Sequence, residues 1–126
     1  MLLPPNWREA ELIEVVRITA PDKLWRSPCL VGEDVDIWDG PGVQKALTLI
    51  TDLPTGERYR CFVPAWGIRA HDATHQLFEI AFCFRCHAAQ LWGPGLTKEQ
   101  LGQTFDGDSS PAQELLSLFR ACLPSL

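Results

Sequence analysis

The chain has no apolar run approaching the roughly 20 residues that cross a bilayer. Its first residues, Met1-Leu2-Leu3-Pro4-Pro5-Asn6, lack the basic start and apolar stretch of an export signal. Neither observation favours a membrane role, and the expected location is the cytoplasm. Positive charge is also scarce. Eleven Lys and Arg residues are scattered against 16 Asp and Glu, for a net charge of -5, which disfavours binding to a phosphate backbone. Nucleic acid and membrane are therefore not expected as partners. Low-complexity tracts and internal repeats are absent, so disorder beyond the ends and a solenoid are not expected. Glycine-rich phosphate loops, a nucleophile elbow and paired-carboxylate signatures are missing too. No residue is assigned a catalytic role, and a non-catalytic protein is expected.

What remains is 126 residues, of which 46% are hydrophobic, a length and composition suited to one domain with its core over residues 11–123. Five cysteines are an odd number, and in a reducing compartment they are expected as thiols with no disulfide framework.

Residues 12–18 are rich in β-branched side chains and predict a strand, with a helical turn before it. Asp34-Val35-Asp36-Ile37 alternates polar and apolar residues, as an extended piece with one wet face does. Asp39-Gly40-Pro41-Gly42 supplies a capping carboxylate and a first-turn proline, after which Val43, Ala46, Leu47 and Ile50 follow at helical spacing. Strands are predicted over residues 58–63, 67–71 and 76–85, forming a three-stranded meander. In the last of these, Phe78, Ile80, Phe82, Phe84 and Cys86 fall on one face. Ser110-Pro111-Ala112-Gln113 reads as a capping box opening a helix with the stripe Leu115, Leu116, Phe119, Cys122 and Leu123. A short helix is predicted near residues 97–102. The expected architecture is α+β: an antiparallel sheet of four to five strands with two main helices on one face.

Cys83-Phe84-Arg85-Cys86-His87, with Cys61 upstream, is the densest chemical signal. Cys-x-x-Cys-His is the pentapeptide of covalent haem attachment, but that chemistry follows export, and the only methionine is Met1. Zinc requires four converging donors, for which Cys61, Cys83, Cys86 and His87 are the candidates, with His71 and His75 in reserve. Chelation by Cys83 and Cys86 together needs a bend after Cys83, because a continuing strand would point them to opposite faces. A thiol enzyme would use Cys83 as nucleophile. The remaining reading is that the cysteines are small apolar core residues.

Five tryptophans, Trp7, Trp25, Trp38, Trp66 and Trp92, lie mostly beside Pro or Gly or in turns. Trp66 and Trp92 are expected to cover core edges. Trp25 and Trp38 lie close to an acidic run, Glu33, Asp34, Asp36 and Asp39, and together suggest a face for a partner with a basic surface.

Cys61-Phe62-Val63-Pro64-Ala65-Trp66-Gly67-Ile68, followed by Ile80-Ala81-Phe82-Cys83-Phe84-Arg85-Cys86 and a terminal Leu-rich helix, resembles a pattern of small bacterial proteins to which no activity attaches. The resemblance covers roughly residues 40–123 and implies a bacterial origin, a freestanding domain and no essential ligand role for His87. Small acidic bacterial domains of this kind include immunity proteins, which cover the active site of a toxin. By that analogy of class, the expected function is a protein-binding module, an immunity or inhibitor-type protein that neutralises a basic toxin or enzyme and carries no cofactor. The alternatives are a structural zinc domain built on Cys61, Cys83 and Cys86, and a thiol-dependent enzyme.

Overall fold

The computed structural model describes residues 1–24, 26–57 and 61–123. Six antiparallel strands form one sheet: β1 (Leu12–Arg17), β2 (Glu33–Asp39), β3 (Trp66–His71), β4 (Gln76–Cys83), β5 (Ala88–Trp92) and β6 (Gly102–Thr104), in the spatial order β2-β1-β3-β4-β5-β6. The helices are α1 (Pro41–Thr51), the single turn α2 (Lys98–Leu101) and α3 (Ser110–Ala121). The fold is α+β, and its meander runs on through β6.

Side-chain alternation explains how the sheet is covered. Ile13 and Val15 align with Ala70 and Ile68, which in turn face Phe78 and Ile80. This face meets Val43, Ala46, Leu47 and Ile50 of α1 and Leu115 and Phe119 of α3, and all of these side chains are buried. Phe119 is the centre of an aromatic stack: Trp38 and Trp66 lie against it at 5.4 Å each, and Phe82 at 5.7 Å. Such ring pairs contribute about 0.5–1.5 kcal/mol each beyond their burial.

The opposite face is buried as well along β4, through Leu77, Glu79, Ala81 and Cys83. Its cover is mostly irregular chain with one short 3-10 turn at Pro21–Leu24, and not an α-helix. Ile18, Leu24 and Leu30 pack with Val16 and Ala81, joined by Phe62 and Trp92. A side chain at Gly67 would strike the Ile80 carbonyl at 2.7 Å and Leu30 at 2.8 Å, so the close seat of this cover on β3 depends on glycine.

Several local expectations are corrected. Residues 58–60 of the predicted strand 58–63 lie outside the described residues, and 61–63 are not strand. The strand predicted to residue 85 stops at Cys83, because 84–87 turn to start β5. The helix N-cap is Ser109, and Gln113 instead donates from Nε2 to the Gly107 carbonyl at 2.7 Å, so no box forms at Ser110. A capping box does form at Thr97 and Gln100, opening α2. Gly40, not Asp39, is the N-cap of α1, and no side chain caps it.

Candidate functional site

Strand β2 is one edge of the sheet, so one side of its backbone has no strand neighbour among the described residues. Glu33, Asp34, Asp36, Ile37 and Asp39 are exposed along it, and Ile37 retains 57% of its free surface. Edge strands commonly carry charge, which blocks indiscriminate pairing. Here every charge is of one sign, so the edge repels another copy of itself and favours a cationic neighbour. Two of the carboxylates also have internal tasks. Asp34 Oδ1 accepts from Arg69 Nη1 at 2.6 Å, and Asp36 Oδ1 accepts from the Ile37 N–H at 2.8 Å.

The expected aromatic partners of this edge are placed differently. Trp38 is half-buried, and its ring is committed to the stack on Phe119. Trp25 lies outside the described residues. Trp66 is buried under α3, and Trp92 donates from its indole N–H to the Ser27 carbonyl at 2.9 Å, pinning the irregular cover. Among the described residues, the exposed side chains of the edge are therefore acidic apart from Ile37, with Val35 and Trp38 half-buried between them.

Behind β2, on the face away from α1 and α3, lies a charge network that the sequence reading did not identify. Arg69 Nε donates to Glu79 Oε2 at 2.9 Å, and Arg69 Nη1 lies 3.8 Å from Glu14 Oε2. His71 Nε2 is 2.5 Å from Glu14 Oε1, so this histidine is engaged with a strand neighbour and is not a solvated turn residue. His75 remains exposed. Glu79 Oε1 accepts from the Leu30 N–H at 3.3 Å, and Arg69 Nη2 donates to the Leu30 carbonyl at 3.0 Å. The network therefore clamps the irregular cover onto the sheet. The signal available in the sequence was the polar alternation of Arg69 and Glu79 within apolar strands.

The sulfur cluster corrects one expectation directly. Cys61 and Cys86 are joined by a disulfide across 25 residues, whereas all five cysteines were expected as thiols. The expectation rested on compartment, and the pairing instead follows from the bend at residues 84–87, which brings Cys86 back to the Cys61 segment. Cys83 is a buried thiol whose Sγ accepts from the Cys86 N–H at 3.3 Å. Cys29 is exposed, and Cys122 is partly buried with its thiol pushed up to about 11 by burial and then by Asp36. The disulfide withdraws two of the four residues expected to ligate zinc, so Cys61, Cys83, Cys86 and His87 can serve a metal together only in the reduced chain. Among the described residues no group of three or more His, Cys, Asp or Glu side chains is arranged to hold a metal ion.

His87 has φ 54°, the left-handed conformation usually left to glycine, and its Nδ1 accepts from the Gly107 N–H at 2.8 Å. That bond places the ring proton of neutral His87 on Nε2. His87, Glu57, Asp106 and Asp108 line a polar cleft of about 340 Å³. A second, largely apolar cleft of about 380 Å³ lies over β5 and β6, at the end of the sheet away from β2. No helix among the described residues is long and apolar enough to cross a membrane. Comparison of the chain with protein-family models, curated proteins and solved structures gave no match.

Proposed function

We propose that the protein is a non-catalytic protein-binding module that uses the β2 edge to engage a basic partner. The observation that carries this reading is the exposure of Glu33, Asp34, Asp36 and Asp39, with Ile37 among them, on a strand that lacks an outer neighbour. An edge of this kind can accept a partner strand through main-chain hydrogen bonds, with Ile37 as its apolar contact and the carboxylates selecting lysine and arginine. In its specific form the partner is a toxin or enzyme with a basic surface, neutralised by being covered. Trp38 then serves to hold β2 in place through Phe119 and does not contact the partner.

A peptide of alternating lysine and valine, titrated into the isotopically labelled protein, tests the reading. Amide shifts confined to Glu33–Asp39 are expected, and they should vanish in the Asp36→Lys, Ile37→Lys double variant. Unmoved β2 amides, or equal binding by the double variant, would overturn it.

A second reading is a structural zinc site in the reduced chain. It is favoured by the Cys83–Cys86 turn, where the Cys86 N–H donates to Cys83 Sγ at 3.3 Å and the chain bends at His87, so that the two sulfurs are not fixed on opposite faces of a strand. One zinc per chain in elemental mass spectrometry of protein purified under reductant, together with unfolding by a chelator, would support it. Metal-free, folded protein would sink it.

A further inference from the structure

We infer that the apolar cleft at the β5–β6 end of the sheet is a binding site for a small apolar carboxylic acid. The inference does not depend on the β2 edge, which lies at the other end of the strand order. The cleft has a volume of about 380 Å³, within the usual range for small-molecule sites of roughly 300–1,000 Å³. It exists because small residues meet where larger ones would fill the space. Ala88 of β5 supplies part of the floor, and Gly102 of β6 has nothing within 4 Å of where its side chain would be. Phe62 and Leu101 form apolar walls, and Leu101 is 43% exposed.

Three polar side chains, Arg26, Gln90 and Gln103, are among the described residues that line this apolar space, and the first two fix the chemistry of the occupant. Arg26 is exposed, sits on a left-handed backbone at φ 68°, and is the only cation among the described residues of the lining. Gln90 projects from β5 on the same side of the sheet. Neither side chain makes a hydrogen bond or ion pair with any described residue, whereas Gln103, also in the lining, is already tied to both polar groups of the Leu2 backbone at 2.8 Å. Among the described residues of the lining there is no carboxylate to neutralise Arg26. An unpaired guanidinium and an unpaired amide beside an apolar hollow match a ligand with one anionic head and an apolar body. The planar guanidinium fork and the amide N–H groups of Gln90 can donate to the two oxygens of one carboxylate. Phosphate esters with larger polar bodies do not suit walls made of Phe62, Ala88 and Leu101.

The test uses the full chain, isotopically labelled and titrated with decanoate and separately with 2-naphthoate below any micelle-forming concentration, with decan-1-ol as the neutral control. At least one of the two acids should give saturable shifts in the amides of residues 88–90 and 101–103. Arg26→Gln should weaken that acid about tenfold or more while leaving the alcohol unchanged, since a hydrogen bond to a charged group is at stake. Gly102→Leu should abolish binding of both acid and alcohol by filling the hollow, with the rest of the spectrum retained as evidence of folding. Absence of saturable shifts with both acids would overturn the inference, and so would equal binding of the acids by wild type and Arg26→Gln.

Discussion

Arg69 and Glu79 face each other across β3 and β4, with Nε to Oε2 at 2.9 Å, on a sheet face where Glu79 is only 3% exposed. The pair also grips both backbone polar groups of Leu30, so it fastens an irregular segment that has few other hydrogen bonds to the sheet. Removing Glu79 takes from Arg69 its most buried partner and from the Leu30 N–H its acceptor, which costs more than the pair itself contributes. Glu79→Ala is therefore expected to destabilise the fold by about 3 kcal/mol, near the lower end for a broken buried pair because Arg69 keeps Asp34 and Glu14. Glu79→Gln, which keeps an acceptor for Leu30, should lose less. Urea unfolding of the two variants checks this, and equal losses would show that the charge, not the hold on Leu30, is what matters.

The helices and the inner strands were legible in the sequence because their signals are periodic. Val43, Ala46, Leu47 and Ile50 mark one helical face, and Phe78, Ile80 and Phe82 mark one strand face. Strands β5 and β6 were not legible. The run Ala88-Ala89-Gln90-Leu91-Trp92 follows the cysteine turn without an intervening Gly or Pro, and Gly102-Gln103-Thr104 has no apolar alternation at all. Their pairing is decided by the bend at residues 84–87, a tertiary feature in which His87 adopts a conformation its residue type rarely takes. The candidate site was legible as an acidic run but not as an edge, because strand order depends on non-local pairing. The stack of Trp38 on Phe119 was not legible for the same reason, since it joins residues far apart in the chain.

The Cys61–Cys86 disulfide closes a loop over a sequence separation of 25 residues that includes β3 and β4. By the chain-entropy account, a loop of this length restrains the unfolded chain by about 3 kcal/mol. Cys61→Ser should lower the thermal midpoint of the oxidised protein, and in excess reductant the wild type and the variant should unfold together. A reduced wild type that stays more stable than the variant only when zinc is supplied would instead favour the metal-binding reading of Cys61, Cys83 and Cys86.

Cys122 lies just beyond α3, where its Sγ donates to the Leu118 carbonyl at 3.3 Å, and burial followed by the Asp36 carboxylate raises its thiol from 9.0 to about 11. At pH 8 only about one part in a thousand is then thiolate, so Cys122 should alkylate far more slowly than the exposed Cys29. The sign of the linkage follows from the raised value. The fold favours the protonated thiol, so its contribution to stability is fully present below pH 9 and is lost as pH rises from 9 towards 11. Asp36→Asn removes one of the two causes and should quicken alkylation of Cys122 at pH 8 while leaving Cys29 unchanged. Iodoacetamide labelling followed by peptide mass spectrometry measures both thiols in one experiment. An unchanged Cys122 rate in Asp36→Asn would mean that burial alone holds the thiol, and that the carboxylate of β2 faces solvent fully available to a partner.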